Sequence, residues 1–147
     1  GRELVLCGEK IPYEKGLLGH SDADVAVHAL IDAIFGAMAD GDIGSHFPDN
    51  DGTYKNISSM ILLEKTVMLM REKSYVICNA DLTIIAQRPK LRAYIDKMRS
   101  NIAKVLGTDA ENISVKATTT EHLGFEGRGE GISAMCSCIL KKESFKQ

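Results

Sequence analysis

The sequence predicts a single α+β domain in which helices pack on one face of a small mixed sheet. Three segments carry apolar residues at intervals of three and four, the period of an amphipathic helix, and four shorter segments are apolar runs typical of strands. Their order is strand, helix, helix, strand, helix, strand, strand, a mixture typical of the α+β class. Since the 147 residues show no internal repeat and no linker, we expect one domain over residues 1–147.

The first strand is predicted over residues 3–7 and ends at Gly8, and residues 11–16 are rich in turn-forming residues. A helix follows, and the side-chain oxygen of Ser21 or Asp22 is expected to cap its first free amides. This helix is the clearest element of the chain. Its apolar stripe consists of Val27, Leu30, Ile31, Ile34, Phe35 and Met38.

The later elements follow from the same two patterns. They are a helix over residues 58–73, a strand over 75–86, a helix over 91–106 that ends at Gly107, and strands over 113–117 and 131–140. Residues 82–86 are nearly all apolar, so we expect this part of the strand to be buried on both faces. Residues 39–53 and 118–130 show neither period and are predicted to be loops.

Composition excludes several classes of protein. Lys and Arg number 18 against 20 Asp and Glu, Trp is absent and aromatic residues make up 5%, so no nucleic-acid surface is expected. The longest mostly apolar stretch, residues 25–39, is interrupted by His28 and Asp32 and is shorter than the ~20 residues that span a bilayer. The four cysteines form no C-x-x-C pair, so we expect reduced, mostly buried thiols in a cytosol-like compartment.

Three polar segments hold the candidate functional residues. The first surrounds His28, which lies four positions from both Asp24 and Asp32 on a face other than the apolar stripe. This arrangement fits either a solvated, salt-linked face or a metal ligand with carboxylates nearby.

The second polar segment, residues 39–53, is acidic and holds Asp40, Asp42, Asp49 and Asp51. Its usual interpretation is a solvated loop, but structureless loops of about 12–15 residues are uncommon and often functional. The spacing of these carboxylates does not match an EF-hand.

The third polar segment, residues 116–131, has three consecutive threonines followed by Glu121, and then Arg128 between two glycines. Hydroxyls, free amides and a guanidinium are groups that bind phosphate oxygens. The spacing is not that of a P-loop, and a strand that runs into a glycine-rich turn explains the segment equally well. An acidic site that binds phosphates needs added positive charge, which a divalent metal held by His and carboxylate would supply.

Five motifs, in this order, closely resemble the 2-C-methyl-D-erythritol 2,4-cyclodiphosphate synthase family over essentially the whole chain. They are I-P-Y-E-K-G from Ile11, H-S-D-x-D-V-x-x-H from His20 to His28, D-I-G-x-x-F-P-D-x-D from Asp42 to Asp51, I-I-A-Q-x-P-K from Ile84 to Lys90, and K-A-T-T-T-E-x-L-G-F-x-G-R-G-E-G from Lys116 to Gly131. The resemblance implies a phosphorus–oxygen lyase of the non-mevalonate isoprenoid route. It would convert 4-diphosphocytidyl-2-C-methyl-D-erythritol 2-phosphate to 2-C-methyl-D-erythritol 2,4-cyclodiphosphate and release CMP, by metal-assisted intramolecular phosphoryl transfer.

The resemblance implies two metal ions. His28 matches one of three ligands of Zn²⁺ or a similar divalent transition metal, and Glu121 matches the ligand of a second cation, Mg²⁺ or Mn²⁺. The other two zinc ligands of the family form an Asp-x-His pair before the first strand, which this sequence does not contain. We therefore expect the domain to lack the family's extreme N-terminal metal-binding segment.

The resemblance also assigns the other site residues. His20 and Thr119 match residues that stabilise the transition state and are the expected catalytic residues. Substrate is expected to contact Ser21, Asp42, Ile43, Gly44, Phe47, Pro48, Asp49, Asn50, Asp51, Thr118, Thr120, Glu121, Phe125 and Arg128. The nucleotide is expected to contact Ala86, Pro89, Lys90, Leu91 and Arg92. His46 and His122 fall at variable motif positions and are expected to be surface or supporting residues, and Lys116 to end a strand.

Finally, the resemblance implies a chorismate-mutase-like homotrimer with active sites between subunits, and no nucleic-acid or membrane partner. A bacterial cytoplasm is the expected location, with a processed plastid form as the alternative. Two other functions stay open. One is a non-catalytic phosphate- or nucleotide-binding protein, supported by the missing Asp-x-His pair, and the other is a structural trimer, which the concentration of functional groups in three loops disfavours.

Overall fold

The computed structural model describes residues 4–13, 24–54 and 57–143. These residues form, in chain order, strands β1 (Leu4–Leu6) and β2 (Glu9–Ile11), helices α1 (Val25–Ala37), α2 (Ile43–His46) and α3 (Ser59–Glu72), strand β3 (Tyr75–Ile85), helix α4 (Ile95–Leu106), strand β4 (Ile113–Thr118), helix α5 (Gly124–Gly127) and strand β5 (Ser133–Lys142). Short 3-10 turns cover Gly52–Tyr54, Arg92–Tyr94 and Ala110–Asn112. The architecture confirms the predicted α+β class.

Strand β3 is the centre of a three-stranded mixed sheet. Strand β4 lies parallel to it and β5 antiparallel, in the order β4-β3-β5. Parallel neighbours need a crossover connection, which α4 supplies between β3 and β4. Near the end of β3, Ile85 pairs with Thr118 on one side and Ser133 on the other. This register places the segment that follows β3 beside the threonines at the end of β4.

Strands β1 and β2 form an antiparallel hairpin that the sequence does not predict. Its turn consists of Cys7 and Gly8, whose φ angles of 52° and 74° are both left-handed. Two-residue hairpins favour such turns because their twist matches that of the flanking strands. Strands of three residues are too short to show a clear alternation, and Cys-Gly is not a usual turn pair, so the pattern predicts only the first strand.

Helix α1 begins directly after Asp24, whose carboxylate also binds the hairpin. Its Oδ1 accepts hydrogen bonds from the amides of Val27 (3.1 Å) and Cys7 (2.9 Å), and its Oδ2 accepts one from Gly8 (2.8 Å). The predicted cap at Ser21 or Asp22 is therefore wrong, and those two residues lie outside the described ranges. The cap falls later because one buried carboxylate serves both the helix start and the hairpin turn.

The three longer helices pack together with one face of the sheet. Helix α1 packs against β5 and α3, and α4 packs against β4. The predicted apolar stripe of α1 is buried in the core. Helix α4 ends at Gly107, whose φ of 71° gives the left-handed C-cap that the sequence predicts.

In the described part of the chain, no helix covers the opposite face of the sheet. On β3, Leu82 and Ile84 are fully buried whereas Thr83 and Ile85 are half-buried. On β5, Met135 and Ile139 are 66% and 61% exposed. The prediction that residues 82–86 are buried on both faces is therefore wrong for a single chain, because only one face of β3 meets the helices.

The environment of the cysteines agrees only in part with the prediction. All four are free thiols, but Cys7 alone is buried and the other three are half-buried. Burial, with Cys138 and Asp81 nearby, raises the pKa of Cys136 to about 12, so this thiol stays protonated near neutral pH.

Within the described ranges, no helix is both long and apolar enough to cross a bilayer.

Candidate active site

An open depression of about 930 Å³ lies where β3 and β4 end, beside the start of α4. All five residues predicted to bind the nucleotide line it, together with Thr118 and Thr119. Its other lining residues are Gln87, Arg88, Ile95, Asp96, Val115, Lys116, Ala117 and His122. The carboxyl ends of parallel strands meet at one edge of a sheet, which is where ligands bind in many open sheets. Two motifs far apart in the sequence therefore form one site.

Hydrogen bonds join the two walls of the depression. The amide of Ala86 donates to the carbonyl of Thr118 at 2.9 Å, which extends the β3–β4 pairing past the end of β3. One residue further on, Gln87 Oε1 accepts a hydrogen bond from the amide of His122 at 3.0 Å. The nucleotide segment and the threonine segment are thus held together by main-chain and side-chain contacts.

The threonine segment turns sharply after β4. Glu121 and His122 have φ angles of 54° and 66°, in the left-handed region that is uncommon for residues other than glycine. Thr119 Oγ1 accepts a hydrogen bond from the amide of Glu121 at 3.2 Å, and the Thr120 hydroxyl donates to the carbonyl of Leu123. A hydroxyl that accepts a hydrogen bond still has its own proton to donate. The exposed Thr119 can therefore donate to a phosphate oxygen.

The charged side chains around the depression are mainly cationic. Arg88, Lys90, Arg92 and Lys116 line it, and Asp96 is the one carboxylate among its described lining residues. A local excess of positive charge favours a polyanionic ligand even on a chain with net charge −2.

Lys116 lies within β4 (Ile113–Thr118), so the prediction that it ends a strand is wrong. Besides lining the depression, its ammonium group forms an ion pair with Asp81 at 2.9 Å, which lowers the pKa of that carboxyl. The motifs also gave no role to the side chains of Gln87 and Arg88. The signal that points to all three is their position at or just beyond the ends of neighbouring parallel strands.

The acidic segment is more ordered than the predicted loop. It contains α2 and the turn Gly52–Tyr54, and Asp42 caps α2 by accepting a hydrogen bond from the amide of Ser45 at 2.9 Å. The amide of Ile43 in turn donates to Asp32 Oδ1 at 2.7 Å. The sequence misses α2 because four residues are too few to show a helical period.

Residues 42–51 lie outside the depression as the described residues define it. Phe47 is 8% exposed and packs edge-on against Tyr54, with ring centroids 5.3 Å apart. A hydrogen bond from the amide of Thr53 lowers the pKa of the Asp51 carboxyl. The chain therefore presents the predicted nucleotide residues and the substrate residues of the acidic segment on separate surfaces.

His28 on α1 contacts the first residue of α3. Its Nε2 lies 2.9 Å from Oγ of the buried Ser59. The two flanking carboxylates bind backbone amides, Asp24 those of Cys7, Gly8 and Val27 and Asp32 that of Ile43. Among the described residues, no three His, Cys, Asp or Glu side chains gather in a group that could hold a metal ion.

Other predicted site residues lie outside the depression. Glu121, Phe125 and Arg128 are exposed and do not line it. Arg128 binds Glu130 through two hydrogen bonds of 2.7 and 3.2 Å, which raise the pKa of its guanidinium. His20 and Ser21 lie outside the described residues.

The chain is similar to known proteins over nearly its whole length. A sequence model of the YgbB family matches residues 1–141. A 2-C-methyl-D-erythritol 2,4-cyclodiphosphate synthase of Brachyspira hyodysenteriae is 62% identical over 141 residues, which are 96% of this chain and 89% of that protein. A synthase of the same name from Desulfitobacterium hafniense is 61% identical over 142 residues, covering 97% of this chain and 90% of that protein.

Solved structures give the same result for the fold. The bifunctional IspDF from Campylobacter jejuni matches with a TM-score of 0.93 and 46% identity, covering 97% of this chain and 38% of that longer chain. The CDP complex of IspF from Plasmodium falciparum matches with a TM-score of 0.84 and 36% identity, covering 97% of this chain and 85% of that one.

The fold and the site define a class of protein. It is an α+β domain with a depression at its strand ends, lined by threonine hydroxyls and cationic side chains, which suit phosphate esters. The extent of the sequence match makes the assignment specific. The chain belongs to the YgbB family, the family of the 2-C-methyl-D-erythritol 2,4-cyclodiphosphate synthases. Recognition of this family from five motifs in the sequence is therefore confirmed.

Proposed function

We propose that this chain converts 4-diphosphocytidyl-2-C-methyl-D-erythritol 2-phosphate to 2-C-methyl-D-erythritol 2,4-cyclodiphosphate and CMP, in isoprenoid precursor biosynthesis. The observation that carries the proposal is the single depression shared by the nucleotide segment and the threonine segment. A substrate with a cytidine diphosphate at one end requires a base pocket and phosphate-binding donors side by side. The 62% identity to the Brachyspira synthase supports the same reaction.

In this reaction an oxygen of the 2-phosphate attacks the β-phosphorus of the diphosphate. A new P–O bond closes the ring, the bond from the β-phosphorus to the bridging oxygen breaks, and CMP leaves with that electron pair. The substrate supplies both reacting groups. The protein therefore acts by positioning and by stabilising the charge that develops.

The residues have distinct roles in the proposed reaction. The loop over residues 86–92 holds the cytidine, and Lys90 neutralises part of the diphosphate charge. Thr119 donates its hydroxyl proton to a phosphoryl oxygen, where a positioned donor is worth more in the transition state than in the ground state. His20 assists Thr119 in this role, and Ser21 binds the phosphates beside it.

A bound divalent cation would neutralise further phosphate charge, with His28 as a ligand for Zn²⁺ or a similar metal and Glu121 for Mg²⁺ or Mn²⁺. The described residues fit this role in part. A hydrogen bond to Ser59 orients the ring of His28, as is typical of metal-ligating histidines. However, the described residues do not supply a complete ligand set, so no step of the proposal depends on the metal.

The proposed assembly is a homotrimer of the chorismate-mutase-like type with active sites between subunits. It is supported by the uncovered face of the sheet and by the separation of residues 42–51 from the depression. A neighbouring copy would bring the two groups of site residues together. The proposed location is the cytoplasm, in keeping with the bacterial origin of the curated relatives.

The proposal is tested by measuring CMP release from the diphosphocytidyl substrate in the presence of Mg²⁺ and Zn²⁺. The wild-type chain should release CMP. Thr119→Ala should lower kcat by roughly 10²–10³-fold, because a transition-state donor is lost, and leave the Kd of CMP unchanged. Thr108→Ala is the matched control, since Thr108 bonds Asn112 outside the depression.

Two outcomes would contradict the proposed reaction or the role of Thr119 in it. A wild-type chain that binds CMP but releases none from the substrate would instead indicate a nucleotide-binding protein. Full activity of the Thr119→Ala variant would remove Thr119 from the catalytic residues.

A further inference from the structure

The left-handed turn at Glu121 and His122 is held from two sides by residues outside it. On one side, Gln87 Oε1 accepts the hydrogen bond from the amide of His122 at 3.0 Å. On the other side, buried Gly127 packs so closely that a Cβ added to it would lie 2.2 Å from the carbonyl carbon of His122. Residues other than glycine keep such a backbone conformation only where their surroundings fix it, and these conformations cluster at functional sites.

We propose that Gln87 is a positioning residue for the cyclisation, which holds the Glu121–His122 turn at a fixed distance from the nucleotide segment. This inference rests on the proposed function. Gln87 directly follows Ala86, whose amide bonds the carbonyl of Thr118 at 2.9 Å. Its side chain therefore adds a second connection between the same two segments, beyond the last main-chain pair.

The turn matters because it carries the Thr119 hydroxyl. Thr119 Oγ1 is hydrogen-bonded to the amide of Glu121 at 3.2 Å, so a shift of the turn moves this hydroxyl. The nucleotide segment holds one end of the substrate and the threonine segment faces its phosphates. Gln87 thus sets the position of a donor relative to the substrate without contacting the reacting atoms.

A positioning role can be separated from a structural one. The Gln87–His122 bond is exposed and joins residues 35 positions apart. Its loss should therefore change the stability of the fold little. By contrast, a misplacement of about 1 Å near the reacting groups lowers a rate by on the order of 10²-fold. We accordingly expect kcat to fall while Tm is unchanged.

Three substitutions test the proposal. Gln87→Met keeps the length of the side chain but removes the acceptor, and Gln87→Asn keeps an amide but is one methylene too short. Both should lower kcat roughly 10–100-fold, with the Tm unchanged. Gln87→Glu keeps an acceptor oxygen, so its kcat should stay within about threefold of wild type. Its added negative charge should raise KM for the anionic substrate.

Hydrogen exchange of the His122 amide gives a readout that does not depend on activity. Exchange in the substrate-free protein should be faster in Gln87→Met and Gln87→Asn than in wild type, and unchanged in Gln87→Glu. Wild-type kcat or wild-type exchange in Gln87→Met would overturn the proposal, as would an equal loss of kcat in Gln87→Glu. A wild-type chain that releases no CMP would refute the proposed function, and the exchange comparison would still decide whether Gln87 holds the turn.

Discussion

Two half-buried histidines, His28 and His46, differ in what surrounds their rings. His46 stacks on Phe35 with ring centroids 3.9 Å apart, and its Nε2 bonds the carbonyl of Asp40 at 2.8 Å. That ring supports the start of the acidic segment, as expected for a supporting residue. The Nε2 of His28 lies 2.9 Å from Oγ of Ser59, and this hydrogen bond orients the ring. The two rings thus have different partners, and a comparison of the two residues tests the proposed ligand role of His28.

In a chain extended by the family's Asp-x-His segment, replacement of His28 by alanine should remove the bound transition metal, because a nitrogen ligand is lost. The measurement is the zinc content of the purified protein by mass spectrometry after dialysis against metal-free buffer. His46→Ala removes a ring of the same chemistry from a place where it supports packing, so that variant should retain the metal. A His28→Ala protein with wild-type zinc content would contradict the assignment of His28 as a ligand.

At the scale of elements, Asp24 connects the β1–β2 hairpin to the start of α1. It is fully buried and accepts hydrogen bonds from three backbone amides. Asp32, two turns along the same helix, is exposed and accepts one such bond, from Ile43. A buried amide that loses its acceptor lowers the stability of the fold, whereas an exposed amide forms a hydrogen bond to water instead. Two residues that look equivalent in the sequence thus have unequal structural roles.

The Asp24→Ala substitution should lower the free energy of unfolding by about 3–5 kcal/mol, through a lost helix cap and two further unpaired amides. Asp32→Ala should lower it by less than about 1 kcal/mol. Both values come from urea unfolding followed by circular dichroism, which suits a chain that contains no tryptophan. Equal losses in the two variants would show that the Asp24 carboxylate does not connect hairpin and helix.

The long elements were predictable because each spans enough residues to show its period. The helix predicted over residues 58–73 corresponds to Ser59–Glu72, and the strand predicted over 75–86 corresponds to Tyr75–Ile85. The short elements β2 and α2 were missed because three or four residues carry no period. Local pattern therefore predicts which segments form helices and strands, and fails where a segment is shaped mainly by its tertiary contacts.

The sequence predicts which segments form the candidate site but not the contacts that arrange them in space. The motifs name Ala86 and Thr118, and the register of β3 with β4 brings them together as parallel strand ends. The contact between Gln87 and His122 depends on a side chain reaching across 35 positions of sequence, which no local pattern encodes. The sequence pattern also does not predict the burial of Asp24. A buried capping aspartate and a solvated one stand at the same position relative to the start of the helix.

At the scale of the whole molecule, the sheet has one face against the helices and one face without cover from the described residues. The uncovered face carries Met135 and Ile139 on β5, both more than half exposed. It also carries the ion pair of Lys116 and Asp81. Exposed apolar side chains beside a charge pair are typical of a surface that packs against another protein. We propose this face as the contact between copies in the trimer.

The Met135→Asp substitution should dissociate the assembly and abolish CMP release, because a carboxylate buried at an interface has no partner and the active sites need two copies. Met68→Asp is a closely matched control. Met68 is 63% exposed on α3, against 66% for Met135, so either substitution should leave the folding of one chain unchanged. Sedimentation velocity should show a trimer for wild type and Met68→Asp and a monomer for Met135→Asp. If Met135→Asp stays trimeric, or if Met68→Asp dissociates as well, the uncovered sheet face is not the contact that builds the active site.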